Sequence, residues 1–229
     1  MRQAQARTPE KNALEELGRA TLQIVHDLKN QLNGLKLYAT FLRKRLERDD
    51  RPPEERETLV KLIAGIDRAA RDTTALVRYA RPVELRRRPQ TDLTKLVVDA
   101  VRGATTILPN RPSPASFKVE IESGSLPGEF DPEALAEALK AITEQAVGST
   151  SAAEVDHLSL HVRRVDTTKT PEALVEWQGV KPDTQESRVD SLYGTANIHA
   201  ALAGKIIEAH GGRIEYAPNA IRAWLPLSE

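Results

Sequence analysis

The 229 residues suffice for one large or two modest domains with cores of their own, and their 33 basic and 33 acidic side chains exclude a global field that would draw the chain onto nucleic acid or lipid. The absence of cysteine excludes disulfides, thiolate catalysis and zinc–thiolate sites together. No run approaches the roughly 20 apolar residues of a membrane span, and the N-terminal MRQAQARTPEKNALEELGRA lacks the apolar core of a signal peptide, so the expectation is a soluble, cytoplasmic protein.

A first helix is expected from Thr8-Pro9-Glu10, where threonine can cap and proline suits the first turn, to about Arg48. Leu14, Leu17, Ile24, Leu28, Leu35, Leu42 and Leu46 recur largely three, four or seven apart and give it one buried stripe. His26 lies two positions from both Ile24 and Leu28, a rotation of roughly 200°, and so points away from the stripe towards solvent. Lys29, Asn30 and Asn33 share its polar face.

Asp49-Asp50-Arg51-Pro52-Pro53 breaks the helix. A second is expected over about Glu54 to Ala80, with Leu59, Leu62, Ile63, Ile66, Ala69, Ala70, Thr73, Leu76 and Val77 forming its apolar stripe. Two long amphipathic helices joined by a short loop make an αα-hairpin whose stripe is too long to cover itself. Two hairpins from two chains would close it, which predicts a homodimer.

The remainder alternates strands and helices. Val83-Glu84-Leu85-Arg86-Arg87-Arg88, between two prolines, is expected as an edge strand with solvated outward charges rather than a site for an acidic partner. Asp92 caps a helix through Leu93, Leu96, Val97 and Val101, and Leu108 to Ser116 is loop. Phe117 to Glu122 alternates as a strand, and Asp131-Pro132-Glu133 opens a helix to about Val147. Strands are expected at about Val155–Val165 and Leu174–Gln178, then a long polar loop, a helix at about Asn197–His210, and paired strands near Ile214–Tyr216 and Ile221–Trp224. The sum is a mixed sheet with helices on one side. His157 and His161, four apart and so on the same face of a strand, could form a metal pair, but no third ligand is evident and ordinary strand polarity is the better reading. His210-Gly211-Gly212 reads as a structural helix end, and Trp177 and Trp224 as core.

His26-Asp27-Leu28-Lys29-Asn30-Gln31-Leu32 resembles the H box of two-component sensor histidine kinases. Asp67-Arg68-Ala69-Ala70 through Arg81-Pro82 is similar to the second helix of that family's dimerisation domain, and Ile206 to Ile214 to the last helix-to-strand turn of its ATPase domain. The fold implied is α+β: an antiparallel helical hairpin over residues 1–82 forming a dimeric four-helix bundle, then over residues 83–229 an α/β sandwich like the histidine-kinase (GHKL) ATPase domain. The resemblance makes His26 the residue that carries a phosphoryl group and Asp27 its acidic neighbour. Asn30 and Gln31 fall where the family carries amides that orient a water for dephosphorylation, and Lys29 could add a positive charge.

The sandwich departs from the family where nucleotide is held. Gln145-Ala146 stands where Asn-Ala is usual, and hard-cation coordination tolerates little misplacement of that amide. The strand matching Asp-x-Gly-x-Gly ends Val175-Glu176-Trp177-Gln178-Gly179-Val180, with glutamate or tryptophan near the aspartate's place. Thr195-Ala196-Asn197-Ile198-His199-Ala200 replaces the glycine-rich lid, leaving Gly194 alone.

The expected function is that of a phosphorelay histidine phosphotransferase, passing phosphate between His26 and receiver-domain aspartates of response regulators without binding ATP. No cofactor of its own is expected, Mg²⁺ being supplied by the receiver. An upstream hybrid histidine kinase is a further partner the resemblance implies. Two alternatives stay open: a divergent ATP-dependent autokinase, and a non-catalytic dimeric scaffold that regulates a kinase or response regulator.

Overall fold

The computed structural model describes residues 9–46, 53–106, 118–122, 124–148, 158–166, 170–180 and 195–228. The loops expected around residues 49–52, 108–116 and 181–194, and the strand residues Phe117 and Val155–His157, lie outside the described residues, as do the side chains of Leu14, Leu17, Leu46 and residues 195–197. The chain forms two compact units, Met1–Arg81 and Pro82–Glu229.

The first unit consists of α1 (Pro9–Leu46) and α2 (Pro53–Ala80), which pack on each other. Pro53 occupies the first helical position, where a missing N–H costs nothing. Glu54 and Glu55 in the first turn and Arg78 in the last complement the helix dipole. Lys36 Nζ of α1 meets Asp67 Oδ1 of α2 at 2.6 Å, tying mid-helix to mid-helix.

The apolar arc of α1 is wider than one partner can cover. Its covered row is Val25, Leu32 and Ala39, seven apart. A second row, Ile24, Leu28, Leu35 and Leu42, is 47–67% exposed. At 3.6 residues per turn the two rows stand about 65° apart. The same division occurs on α2, where Leu59, Ile63, Ile66, Ala70, Thr73 and Val77 are shielded while Leu62 and Leu76 are exposed. α2 thus shields one edge of the stripe, and the leucines of its other edge face outward in the single chain.

The second unit is a layered α/β structure. A five-stranded sheet runs β2 (Lys118–Ile121), β4 (Ser159–Asp166), β5 (Pro171–Gln178), β7 (Ala220–Pro226), β6 (Arg213–Ala217). β2 and β4 are parallel and the other neighbours antiparallel. A small antiparallel pair joins β1 (Arg88–Asp92) to β3 (Pro127–Phe130). Helices α3 (Leu93–Thr106), α4 (Pro132–Gly148) and α5 (Thr195–Ala209) pack in series, α3 on α4 and α4 on α5. Leu135, Leu139, Ile142, Leu160, Val162, Val175, Trp177, Ile206 and Ile207 are all but fully buried and form the core.

Side-chain caps fix where the helices begin. Asp92 Oδ1 accepts from Thr94 N at 3.0 Å and Leu126 N at 3.2 Å, as its place before an apolar run predicted. Asp131 Oδ1 accepts from Glu133 N (3.1 Å) and Ala134 N (3.0 Å). Its Oδ2 accepts from Arg86 N at 2.8 Å. That bond uses a backbone donor that a strand over residues 83–88 would have needed. Residues 83–87 are irregular accordingly, and β1 begins only at Arg88. Gln90 takes a φ of 56° inside β1, where the pairing with β3 is irregular. Among the described residues no helix is long and apolar enough to cross a membrane.

Candidate functional site

His26 stands on α1 opposite both apolar rows, its side chain 62% exposed. Its Nδ1 has two polar neighbours. Asn30 Nδ2, one turn on, lies at 3.4 Å, and Asp27 Oδ1 at 3.7 Å. Asp27 Oδ1 also accepts from Gln23 Nε2 at 3.1 Å. His26 Nε2 makes no hydrogen bond among the described residues and opens to solvent.

Helical spacing assembles this group, since residues three and four apart are neighbours on the helix surface. Of the residues singled out in the sequence, the structure brings His26, Asp27 and Asn30 together. Lys29 and Gln31 make no hydrogen bond or ion pair with His26 among the described residues. Lys29 is half-buried, turned towards the α2 side of the helix, and Gln31 is exposed. Gln23 escaped the sequence reading. Its signal was an amide four residues before a carboxylate, a pair that α-helix geometry places in contact.

In the second unit, the strand compared with the family's Asp-x-Gly-x-Gly is β5. Alternation along it sends Val175 and Trp177 to the helix-covered face and Glu176 to the other. Trp177 is fully buried, and its Nε1 donates to Thr143 Oγ1 of α4 at 3.0 Å. Thr143 in turn donates to Leu139 O at 2.8 Å. Glu176 accepts from Arg222 Nε on β7 at 2.5 Å and from Gln178 Nε2 at 2.9 Å. Burial pushes the Glu176 carboxyl up, but these donors outweigh it and its pKa falls below the usual glutamate value. Gln145 Oε1 is buried without a hydrogen-bond partner. Ala200 is buried in α5.

His161 and His210 of this unit have structural partners. His161 Nδ1 lies 3.0 Å from Glu120 Oε2, and its Nε2 3.0 Å from Ser159 Oγ. His157 lies outside the described residues, and among those described no cluster of three or more potential ligands gathers. His210 is buried, donating from Nδ1 to Ile206 O (2.8 Å) and accepting at Nε2 from Asp131 N (3.0 Å). Desolvation is the chief reason its pKa falls below 6.5, and the nearby Arg87 guanidinium adds to it.

Gly211, at φ +81°, and Gly212 close α5 with the paired bonds Gly211 N to Glu208 O (2.9 Å) and Gly212 N to Ile207 O (3.0 Å). A Cβ at Gly212 would sit on the Trp224 carbonyl. Trp224 itself corrects the sequence reading: it lies on the outer face of the sheet, half-buried beneath Arg213, whose Cζ is 4.5 Å from the ring centroid.

The sequence matches no family model and no curated protein. Solved structures do share the fold. Full-length ShkA in complex with AMPPNP matches 91% of this chain at 15% identity and TM-score 0.65, over 46% of its own length, so this chain spans under half of ShkA. The Acinetobacter baumannii histidine kinase AdeS matches 89% of this chain and 98% of its own, at 16% identity and TM-score 0.57. Histidine kinase ThkA in complex with the response regulator protein TrrA matches 98% of this chain and 68% of its own, at 15% identity and TM-score 0.58. The chain is therefore built on the α+β fold of histidine kinases. At such identities the likeness assigns no residue a role.

Proposed function

We propose that the chain is a dimeric phosphorelay histidine phosphotransferase, exchanging phosphate between His26 and a receiver-domain aspartate. The observation that carries the reading is His26 itself: solvent-facing, turned away from both apolar rows, with Asn30 and Asp27 beside Nδ1 and no hydrogen bond on Nε2 among the described residues. In transfer, the Nε2 lone pair forms the N–P bond as the phosphorus–oxygen bond of the aspartyl phosphate breaks and the carboxylate leaves. Asp27, beside Nδ1, accepts the proton that atom carries. A loose transition state needs chiefly positioning and neutralisation, and Mg²⁺ held by the receiver supplies the latter.

The exposed rows support the dimer. Monomers rarely leave continuous apolar patches beyond a few hundred Å², and the open rows of α1 and α2 run along both helices. A second copy covers them and completes a four-helix bundle. The response regulator bound to ThkA supports a receiver as partner.

The described residues of the sandwich do not fit a nucleotide. An adenine amino group between sheet and helices requires an acceptor there, but Trp177 offers only a donor, already engaged by Thr143, and Glu176 faces the other side. No step is therefore assigned to ATP. One observation favours the autokinase alternative: the buried, unpartnered Gln145 Oε1 would gain from a ligand. Titration with Mg²⁺–ATP separates the two, since saturable binding followed by label on His26 from ATP alone would establish an autokinase. Transfer from phosphorylated receivers to the full chain, and its loss in His26→Ala, tests the relay reading.

A further inference from the structure

Around His26 two neighbours make opposite demands on one atom. A carboxylate only accepts, so engagement by Asp27 requires the proton on Nδ1 and leaves the lone pair on Nε2. With its amide nitrogen towards the ring Asn30 donates, so this contact requires the lone pair on Nδ1 and puts the proton on Nε2, where it blocks attack. In that orientation Nδ1 cannot serve both. Asn30 Nδ2 lies within hydrogen-bonding distance at 3.4 Å, and Asp27 Oδ1, at 3.7 Å, lies beyond it.

Gln23 sits one turn before Asp27 and donates to Oδ1 at 3.1 Å, the same oxygen that faces the ring. That bond occupies one lone pair of the oxygen and ties the carboxylate to the turn before it. Gln23, His26, Asp27 and Asn30 are all exposed, so exchanging these partners breaks no packing.

We propose that Gln23 is a positioning residue: by holding Asp27 it keeps His26 in the tautomer protonated at Nε2, and phosphorylation of His26 waits on Asp27 exchanging Gln23 for Nδ1. This deepens the relay reading and rests on it for its consequence, not for the tautomer itself. In the competent form the Nε2 lone pair forms the N–P bond, the leaving group departs with the electron pair of its bond to phosphorus, and the Nδ1 proton stays bonded to Asp27.

The test uses the full-length protein with ¹⁵N-labelled histidine, the His26 signal among the five histidines being identified by its loss in His26→Ala. Long-range ¹H–¹⁵N spectra give the tautomer ratio, and phosphoramidate, whose nitrogen leaves as ammonia, gives the rate of phosphorylation without a receiver. Gln23→Met and Gln23→Ala are each expected to raise the Nδ1–H fraction relative to Nε2–H by about threefold, the scale of one net hydrogen bond at an exposed site, and the labelling rate with it. In an Asp27→Ala background the same substitutions are expected to change neither quantity, because Gln23 acts only through Asp27. An unchanged tautomer ratio in both single variants overturns the proposal, as does an equal shift with and without Asp27. If the ratio shifts as expected but wild-type His26 takes phosphate from neither phosphoramidate nor any receiver, the relay reading falls and the assignment of Gln23 stands.

Discussion

The two units reach stability by different routes. The second closes its own core: Trp177, Leu160, Ile207 and their neighbours vanish from solvent, and its buried His210 is fully hydrogen-bonded. The first leaves Ile24, Leu28, Leu35, Leu42, Leu62 and Leu76 in water. A helix pair can shield only one edge of an arc this wide, and the other edge stays open in the single chain. His26 lies away from both edges, exposed to solvent. The sandwich, by contrast, has spent its strand-end side chains on internal contacts.

The sharpest break in this comparison is expected at the open rows. Leu28→Asp or Leu35→Asp would bury an unpaired charge in the dimer, raising its dissociation constant by at least about a hundredfold in sedimentation equilibrium. Leu37→Asp is the control: Leu37 is exposed but stands outside both rows, and its variant is expected to dimerise normally.

In the sandwich the largest effect is expected at Trp177. Trp177→Ala is expected to cost about 3–5 kcal/mol in urea unfolding of the second unit. Thr143→Val, which strands the indole N–H, is expected to cost about 1–3 kcal/mol. The dimer is expected to survive both.

His210 makes the sandwich pH-sensitive. Its folded pKa is below 6.5, so below that pH the unfolded chain binds the extra proton. Its contribution is fully present above pH 6.5 and is lost as pH falls from there through the folded value. The slope reaches at most about 1.4 kcal/mol per pH unit for one proton. His210→Gln is expected to flatten stability across this window in urea titrations at successive pH values. The Asp131 and Glu176 carboxylates, both held below their usual values by their hydrogen-bond donors, leave the upper part of this window clear. The smallest effect is expected at the Glu172–Arg213 pair (2.6 Å), whose guanidinium is exposed, where Glu172→Ala is expected to cost about 1 kcal/mol.

What could be read from the sequence was local. Asp92 and Asp131 announce helix starts because a cap bonds within its own turn. His26, Asp27 and Asn30 meet because the helix repeat brings them together. Non-local causes stayed hidden. β3, Pro127–Phe130, carries proline and glycine and exists only through its pairing with β1, so nothing in those four residues announced a strand. Periodicity found the apolar arc of α1 but could not say that α2 covers only its Val25–Leu32–Ala39 edge. Alternation on β7 did not reveal which face the helices cover, and so misplaced Trp224. Gln23 was overlooked because the family pattern begins at the histidine.

The central claim is that His26 receives phosphate from a receiver and not from nucleotide. The direct measurement incubates the full chain, in parallel, with ³²P-labelled phospho-receivers and with [γ-³²P]ATP and Mg²⁺, alongside His26→Ala. The account predicts acid-labile label on the wild-type chain from a receiver, none from ATP, and none on His26→Ala from either. Label from ATP alone on His26, or receiver-derived label that persists in His26→Ala, would contradict it.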